Sequence, residues 1–344
     1  MNRQYVLAVD GGNTKTIALV AAVNGSILGA GRAGSGDIYN SFGVNTQGLS
    51  NEDFALANIE QAIRQALQTA HVRPDELETA VFNMAGADWP EDFALLRDAM
   101  RMRSFGRIIH IQNDALGVLR CGSSSNVGVA VVCGTGGAAG ARGPDGRVWH
   151  ASFWLHVGGS IELSQRTLVA VYRSELGLEE PTALKRHVLD LFHVDTVEEV
   201  LHLLTGRAAW ATGTPRIDSL TPLLLDEADA GDKVARRIVQ EHGRKFGDYA
   251  VVAARRVGIE HTPFPLVLAG GVLRHPSSLL ADAIIERVRE TSPEVQPVRS
   301  LYEPIFGVLL TALDMAGVTI DMAVYARLQT TFPDSTLFDT RICS

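Results

Sequence analysis

Two glycine-rich turns, far apart in the chain, carry residue types that can hold a polyphosphate. The first has the sequence DGGNTK at 10–15 and the second has GTGG at 134–137. Glycine has no Cβ to shield backbone N–H groups, so each turn can cradle an anion. In the first turn Thr14 adds a hydroxyl, Lys15 a positive charge and Asp10 a carboxylate suited to magnesium or its waters. One such turn is common in ordinary hairpins, whereas two at corresponding places of a repeat predict a clamp on one polyphosphate.

The candidate phosphate-binding residues are therefore Asp10, Gly11, Gly12, Asn13, Thr14, Lys15, Gly134, Thr135, Gly136 and Gly137. No G-x-x-x-x-G-K-[ST] string occurs, so the sequence lacks the P-loop motif. Two strings match the dinucleotide pattern G-x-G-x-x-G/A, starting at Gly29 and at Gly134. Neither of them opens a helix, so we reject both.

Asp114 is the candidate catalytic residue. It follows the strand-like stretch 107–112, and open α/β sheets place their chemistry at the carboxyl ends of strands. Phosphoryl transfer to an alcohol needs one group that accepts the hydroxyl proton, which a carboxylate can do. Capping the next helix is at least as common a use of such an aspartate, and the two uses are compatible.

Three further residues could contact a polyol. Asn40 and Asp88 lie in loops after strand-like stretches, where they could bind hydroxyls or only stabilise the loops, Asp88 by capping a helix at Pro90. Trp154 could stack on a sugar face, although core or interface packing is the commoner use of tryptophan. The ten histidines show no metal-site spacing, and no H-E-x-x-H or C-x-x-C motif occurs.

The elements that must position these residues recur in order. Residues 5–31 alternate apolar stretches with the first glycine turn and a tight Asn-Gly turn, which is a strong hairpin signal. Residues 127–153 repeat this order around the second glycine turn. We therefore predict two homologous α/β halves, each opening with an antiparallel β-meander. Helical spacing predicts a helix at 56–70, and the chain is mostly helical from about 155 to 257.

Length, net charge and cysteine content limit the classes of protein to which the chain can belong. A chain of 344 residues corresponds to roughly two domains. The formal net charge of −8, without a basic cluster, argues against a nucleic-acid or anionic-membrane partner. No apolar stretch approaches the roughly 20 residues of a membrane span. Three cysteines without a close pair fit a reducing compartment, so we expect a cytoplasmic protein.

With these motifs in this order, the chain resembles the actin/hexokinase/Hsp70-like ATPase superfamily. Within it the chain looks like the N-acetylglucosamine kinase-like branch of the BadF/BadG/BcrA/BcrD ATPase family. The resemblance spans about residues 4–317. It rests on VDGGNTKT at 9–16, NDA at 113–115, CGTGG at 133–137 and LAGGV at 268–272.

The resemblance implies an α/β fold of two RNase H-like, actin/hexokinase-type domains, whose mixed sheets flank a nucleotide cleft. The first domain would comprise residues 1–117, and the C-terminal tail could pack back on it. The second and larger domain would comprise residues 118–325, with a helical insertion at about 160–257. A hinge between the domains would close the cleft and exclude water from the transfer.

The resemblance also implies the role of each motif. The two glycine turns would bind ATP, with Asp10 near magnesium. Gly270 and Gly271 would form the adenosine loop, and Ser219 would flank the adenine. Asp114 would be the catalytic base, with Asn40, Asp88 and Trp154 on the sugar side. The implied protein is an ATP- and magnesium-dependent kinase of a sugar or amino sugar, such as N-acetylglucosamine or glucosamine, and a homodimer.

One stretch departs from the family pattern. Kinases of the family usually carry Gly-Asp-Glu-Gly after the tryptophan segment, whereas Ser160 and Ile161 replace the acidic pair here. Loss of this carboxylate should weaken binding of the usual amino sugar by about 1.5–3 kcal/mol, unless Glu162 replaces it. Ser160 is then the substrate-binding candidate at this position.

Two alternatives remain open at this point. One is a non-catalytic sensor of a nucleotide or sugar, which the altered acidic pair favours. The other is an activator ATPase for a CoA dehydratase, whose [4Fe–4S] cluster needs several converging thiolates. The positions of Cys121, Cys133 and Cys343 argue against the second alternative.

Overall fold

The computed structural model describes residues 4–39, 50–207 and 217–338. Asn40 therefore lies outside the described residues. The strands are β1 (Tyr5–Gly11), β2 (Thr16–Ala22), β3 (Ile27–Ala33), β4 (Leu77–Met84), β5 (Ile108–Asn113), β6 (Gly128–Cys133), β7 (Gly137–Arg142), β8 (Val148–His150), β9 (Pro265–Ala269) and β10 (Gln296–Arg299). The helices are α1 (Asn51–Ala70), α2 (Pro90–Met102), α3 (Leu119–Gly122), α4 (Ser160–Glu175), α5 (Leu184–Phe192), α6 (Val197–Thr205), α7 (Leu220–Asp229), α8 (Lys233–Arg256), α9 (Leu279–Arg289), α10 (Pro304–Met315) and α11 (Met322–Thr331).

Two five-stranded mixed sheets form the framework. The first has the order β3-β2-β1-β4-β5 and the second the order β10-β9-β6-β7-β8, which is the same arrangement taken from the other edge. In each sheet an antiparallel meander is followed by parallel strands. The predicted duplication is therefore confirmed. The two meanders occupy equivalent places in the two sheets. The glycine turns that join β1 to β2 and β6 to β7 are therefore equivalent as well.

Helix α1 covers one face of the first sheet. Ser50 begins it by accepting a hydrogen bond from the N–H of Asp53 at 3.1 Å, which satisfies one of the unpaired donors of the first turn. Two glycines of β3 bring the sheet unusually close to this helix. A Cβ on Gly31 would lie 2.0 Å from the carbonyl oxygen of Ala62, so only glycine fits there.

Helix α10 covers the opposite face of the first sheet, although it follows the second sheet in sequence. Its buried residues pack with residues of β1, β2 and β4 in one apolar cluster. It also meets the connection between the halves, since a Cβ on Gly307 would lie 2.2 Å from the carbonyl oxygen of Gly117. The chain thus crosses between the sheets near residue 117 and returns before α10. The division into 1–117 and 118–325 stays a prediction.

The helical stretch predicted between about 155 and 257 is present as α4 to α8. These helices and α9 build the larger apolar core against the second sheet. Among the described residues, no helix is both long and apolar enough to cross a bilayer.

Candidate nucleotide and acceptor site

A cavity of about 370 Å³ lies between the two sheets, where the glycine turns meet. The two turns face each other, since a Cβ on Gly136 would lie 3.6 Å from Nδ2 of Asn13. The predicted site residues that line this cavity are Asp10, Gly12, Asn13, Thr14, Lys15, Asp114, Gly134, Thr135, Gly136, Gly137, Ser160, Gly270 and Gly271. Gly11 instead packs against Met84, because a Cβ there would meet that side chain at 2.4 Å.

Asp10 is held by an asparagine that the sequence reasoning did not select. Asp10 of β1 and Asn83 of β4 are register partners in the first sheet. Nδ2 of Asn83, a fully buried residue, lies 2.6 Å from Oδ1 of Asp10 and 3.3 Å from the carbonyl oxygen of Asp114. Burial raises the pKa of Asp10 to about 6, against the lowering effect of the Asn83 hydrogen bond. The position of Asn83 at the carboxyl end of a strand was the signal that could have found it.

Asp114 stands at the start of a 3₁₀ turn, Asp114–Leu116, directly after β5. Asn113 caps this turn by accepting a hydrogen bond from the N–H of Ala115 at 3.0 Å. The N-cap of this turn is therefore Asn113 and not Asp114. Burial, followed by the charges of Asp10, Asp88 and Asp37, raises the pKa of Asp114 to about 7. A carboxylate with such a pKa accepts a proton readily near neutral pH.

Asp88 lies close enough to Asp114 for its charge to contribute to that shift, although it does not line the cavity. It accepts hydrogen bonds from Nδ2 of Asn113 at 2.9 Å and from Oγ of Ser152. Asp88 does not cap α2: the N-cap is Trp89, whose N–H donates to Oδ2 of Asp92, the third residue of the helix, at 2.7 Å. Burial also raises the pKa of Asp88. Asp88 and Asp114 thus form a pair of carboxyl groups beside the clamp.

Ser160 lies on the phosphate side of the cavity. Its N–H donates to the carbonyl oxygen of Gly134 at 2.8 Å. The first turn of α4 therefore abuts the second glycine turn, and the positive end of the helix dipole faces the place where phosphate would bind. Glu162 does not replace the lost acidic pair, because its carboxylate accepts from the N–H of Gly158 and lies 3.8 Å from Nζ of Lys245.

Trp154 ends the 3₁₀ turn Ser152–Trp154 and is 68% exposed. Its carbonyl oxygen accepts a hydrogen bond from the hydroxyl of Tyr249 at 2.6 Å. The tryptophan does not line the cavity between the turns. Its sugar-side role stays a prediction, as does that of Asn40.

The turn after β9 is fixed to the end of β6. Gly270 has φ +101, and a Cβ there would lie 2.4 Å from the carbonyl oxygen of Cys133, so this close approach requires glycine. The N–H of Val272 donates to the same oxygen at 3.0 Å. Gly271 has open space where its Cβ would be. Ser219 and Gly271 both line an adjoining cavity of about 1100 Å³, which gives a nucleotide room beyond the clamp.

The donors present suit magnesium bound to phosphate. In the described part of the chain, no group of three or more His, Cys, Asp or Glu residues could hold a metal by itself. Magnesium commonly takes one or two protein carboxylates and completes its shell with phosphate oxygens and waters. Asp10 provides such a carboxylate at the edge of the clamp, and Gly134 has nothing within 4 Å of where its Cβ would lie.

Comparison with known proteins agrees with this geometry. A curated N-acetylmuramic acid/N-acetylglucosamine kinase of Clostridium acetobutylicum is 22% identical over 90% of this chain and 98% of its own length. A curated N-acetyl-D-glucosamine kinase of Dictyostelium discoideum is 24% identical over 91% of this chain and 99% of its own length.

The fold is that of solved sugar-kinase structures. A proposed N-acetylglucosamine kinase from Chromobacterium violaceum superposes with a TM-score of 0.62 at 21% identity, covering 90% of this chain and 99% of the other. The two-domain actin/hexokinase-type architecture implied by the resemblance is therefore confirmed. The model of the BadF/BadG/BcrA/BcrD ATPase family matches residues 7–312. With most of its length matched and the motifs meeting at one cavity, the chain belongs to the BadF/BadG/BcrA/BcrD ATPase family.

Proposed function

We propose that this protein is an ATP-dependent kinase that transfers the γ-phosphate to a hydroxyl group of a sugar or amino sugar. The observation that carries the proposal is the position of Asp114. It lines the same cavity as both glycine turns, and its raised pKa suits a proton acceptor. The names of the curated relatives support a sugar as the acceptor.

The residues of the site divide the work of phosphoryl transfer. The backbone N–H groups of the glycine turns, with Thr14, Lys15 and Thr135, hold the phosphates. Magnesium, when bound with the nucleotide, neutralises phosphate charge, and Asp10 is the residue that holds it or its waters. The acceptor oxygen forms the new bond to phosphorus, the bond from that phosphorus to the ADP oxygen breaks, and the hydroxyl proton passes to Asp114. The side chain of Asn83 donates to both the Asp10 carboxylate and the Asp114 carbonyl oxygen, and so fixes their relative position.

The acceptor lies on the Asp88 side of Asp114. Two hydrogen-bond donors, Asn113 and Ser152, hold Asp88 in place, so its carboxylate can accept from sugar hydroxyls without reorganising. An acceptor of the N-acetylglucosamine or glucosamine type fits the names of the relatives. The Ser160–Ile161 departure predicts weaker binding of the usual amino sugar, since Glu162 is engaged elsewhere. A cytoplasmic location and a homodimer complete the proposal.

The activator-type alternative is disfavoured by where the cysteines lie. Cys133 is fully buried at the end of β6, and burial raises the pKa of both Cys133 and Cys121. A cluster needs several converging thiolates, and the part of the chain that the structure describes holds no group of three or more His, Cys, Asp or Glu residues that could bind a metal. Cys343 lies outside the described residues.

The test is ADP release from magnesium-ATP with a panel of hexoses, amino sugars, anhydro sugars and polyols. We expect release that depends on one class of sugar, together with a phosphorylated product of matching mass. ADP release that is the same with and without every acceptor would refute the kinase. Tight ligand binding without any turnover would instead support the sensor.

A further inference from the structure

A C-terminal segment reaches back to the first glycine turn. After α11, the chain forms a 3₁₀ turn, Ser335–Leu337, which Asp334 caps by accepting from the N–H of Thr336 at 2.9 Å. Phe338 follows and lines both the cavity between the turns and the adjoining one. The family model ends at residue 312, so this segment, residues 333–338, lies outside the matched part of the chain.

The segment binds two cationic side chains of the first half through its carbonyl groups. Nζ of Lys15 donates to the carbonyl oxygen of Phe338, although the two residues are 323 positions apart. Nη1 of Arg32 donates to the carbonyl oxygen of Leu337 at 3.0 Å. Nζ of Lys15 also lies 5.8 Å from the centre of the Phe338 ring, a cation–π distance. An ammonium group has three donors, so two remain for phosphate oxygens.

Phe338 is fixed rather than loosely attached. It is only 8% exposed, and its ring stacks on Phe332 at 5.5 Å between centres. Phe332 packs edge-on against Phe306 of α10 at 5.4 Å. Phe306 in turn stacks on Tyr302 at 4.2 Å. This aromatic column joins Lys15 to the helix that covers the first sheet, which argues for a permanent anchor rather than a displaceable inhibitor.

The Lys15 ammonium lies in a partly buried and charged environment, which has opposing effects on its pKa. Burial lowers the pKa of Lys15, while the charges of Glu303 and Asp10 raise it. Glu303 lines the same cavity, but its carboxylate is paired with Arg274 at 2.6 Å. A long flexible side chain also loses rotamer entropy when a ligand orders it. A carbonyl and a ring that hold the ammonium beforehand reduce that loss.

We infer that the C-terminal segment is part of the nucleotide site, in which Phe338 is a positioning residue that holds the Lys15 ammonium ready for the phosphates. This inference rests on the proposed function. It assigns a role in nucleotide binding to a segment beyond the part matched by the family model. It also predicts that the effect of Phe338 is transmitted through Lys15.

The experiment measures nucleotide affinity directly, by calorimetry with ADP and magnesium, and the KM values for ATP and sugar, on the full chain. Phe338→Ala should weaken nucleotide binding about tenfold and raise the KM for ATP to match, because the ring that orders the ammonium is lost while the main-chain carbonyl remains. The KM for the sugar and kcat should stay within about twofold. Met322→Ala, which removes an apolar side chain that is 90% exposed at the start of α11, is the matched control and should leave every value unchanged.

A double-mutant cycle separates positioning from general packing. In a Lys15→Ala background, Phe338→Ala should add less than about twofold, because its effect passes through the missing ammonium. A full additional tenfold loss would overturn the inference, as would tighter nucleotide binding by Phe338→Ala. Thermal unfolding identifies a variant that fails to fold, and Phe338→Leu, which preserves apolar packing, then replaces it in the same cycle.

The two proposals fail in different ways. If wild-type protein binds no nucleotide and releases no ADP with any acceptor, the proposed function fails and the inference with it. If wild-type protein binds nucleotide but Phe338→Ala binds it equally well, only the role of the C-terminal segment is refuted.

Discussion

The two halves of the molecule share one strand arrangement but differ in what they bring to the cavity. The first half supplies Asp10 and Lys15 in its glycine turn, Asn83 at the end of β4 and Asp114 after β5. The second half has the uncharged turn 134–137 and, after β9, Gly270 and Gly271. Strands β1 and β4 thus end in charged and polar side chains, whereas β6 and β9 end in glycine backbone. The charged Arg274 and Glu303 of the second half also line the cavity, but they lie in the segments that follow β9 and β10.

This difference indicates that the two halves of the repeated fold contribute different groups to one reaction. Groups that change protonation or hold a cation must lie close together, because their charges set each other's pKa values, as Asp10 and Asp88 do for Asp114. Groups that only accommodate phosphates and base need space and N–H donors, which glycine provides. We therefore expect substitutions of Asp10 and Asp114 in the first half to change the chemical step. Substitutions in the second half, like those of Lys15, should change nucleotide binding.

The largest effect should come from Asp114→Asn. Removing the proton acceptor should lower kcat about 10³-fold, while nucleotide affinity stays within about threefold, because the glycine turns are untouched. Steady-state kinetics and calorimetry check this. Normal turnover by the variant would contradict the assignment of the chemical step to the first half.

Asp10→Asn should have the next largest effect. The variant keeps the size of the side chain but lacks the charge, so kcat should fall about 10²-fold and the magnesium concentration for half-maximal rate should rise. Titrating the rate with magnesium at saturating ATP measures both. Unchanged magnesium dependence would show that Asp10 does not hold the metal or its waters.

In the second half, Thr135→Ala should act on binding alone. One neutral hydrogen bond contributes about 0.5–1.5 kcal/mol, so the KM for ATP should rise between about twofold and tenfold with kcat nearly constant. A fall in kcat as large as that of Asp10→Asn would contradict the division between the halves.

The smallest effect concerns stability. Because the pKa of folded Asp114 is raised from 3.8 to about 7, folding disfavours the ionised group, and stability is lost as the pH rises from about 4 towards 7. Asp114→Asn removes this penalty. At pH 8 the variant should be more stable by about 1–2 kcal/mol, after allowance for solvent screening, and less so towards pH 4. Thermal unfolding at both pH values tests the sign.

Local patterns account for most of the fold prediction. Apolar stretches broken by glycine turns predicted both meanders, and helical spacing predicted α1, because strand and helix periodicity follow from short-range geometry. The repeat predicted over residues 127–153 ends in a short strand, Val148–His150, which is followed by the 3₁₀ turn Ser152–Trp154. β10 was not predicted, because this edge strand is short and carries polar residues.

Site residues were predictable where one short stretch of sequence contained both a turn and its functional side chains. The glycine turns and Asp114 showed a residue pattern, and they share one cavity. Ser160 was assigned to the acceptor from its alignment with an acidic pair, and that role stays a prediction. Its backbone N–H bonds to the second glycine turn. The residues that surround Ser160 depend on how α4 packs against the second sheet, and no local sequence pattern predicts this packing.

By itself, the sequence determined that two similar α/β halves each present a glycine turn and that one aspartate follows a strand of the first half. Only the tertiary structure decided that Asn83 joins Asp10 to Asp114 and that Phe338 reaches Lys15. The physical reason is range: turns and periodicities arise between near neighbours, whereas these contacts arise from packing between segments far apart in the chain.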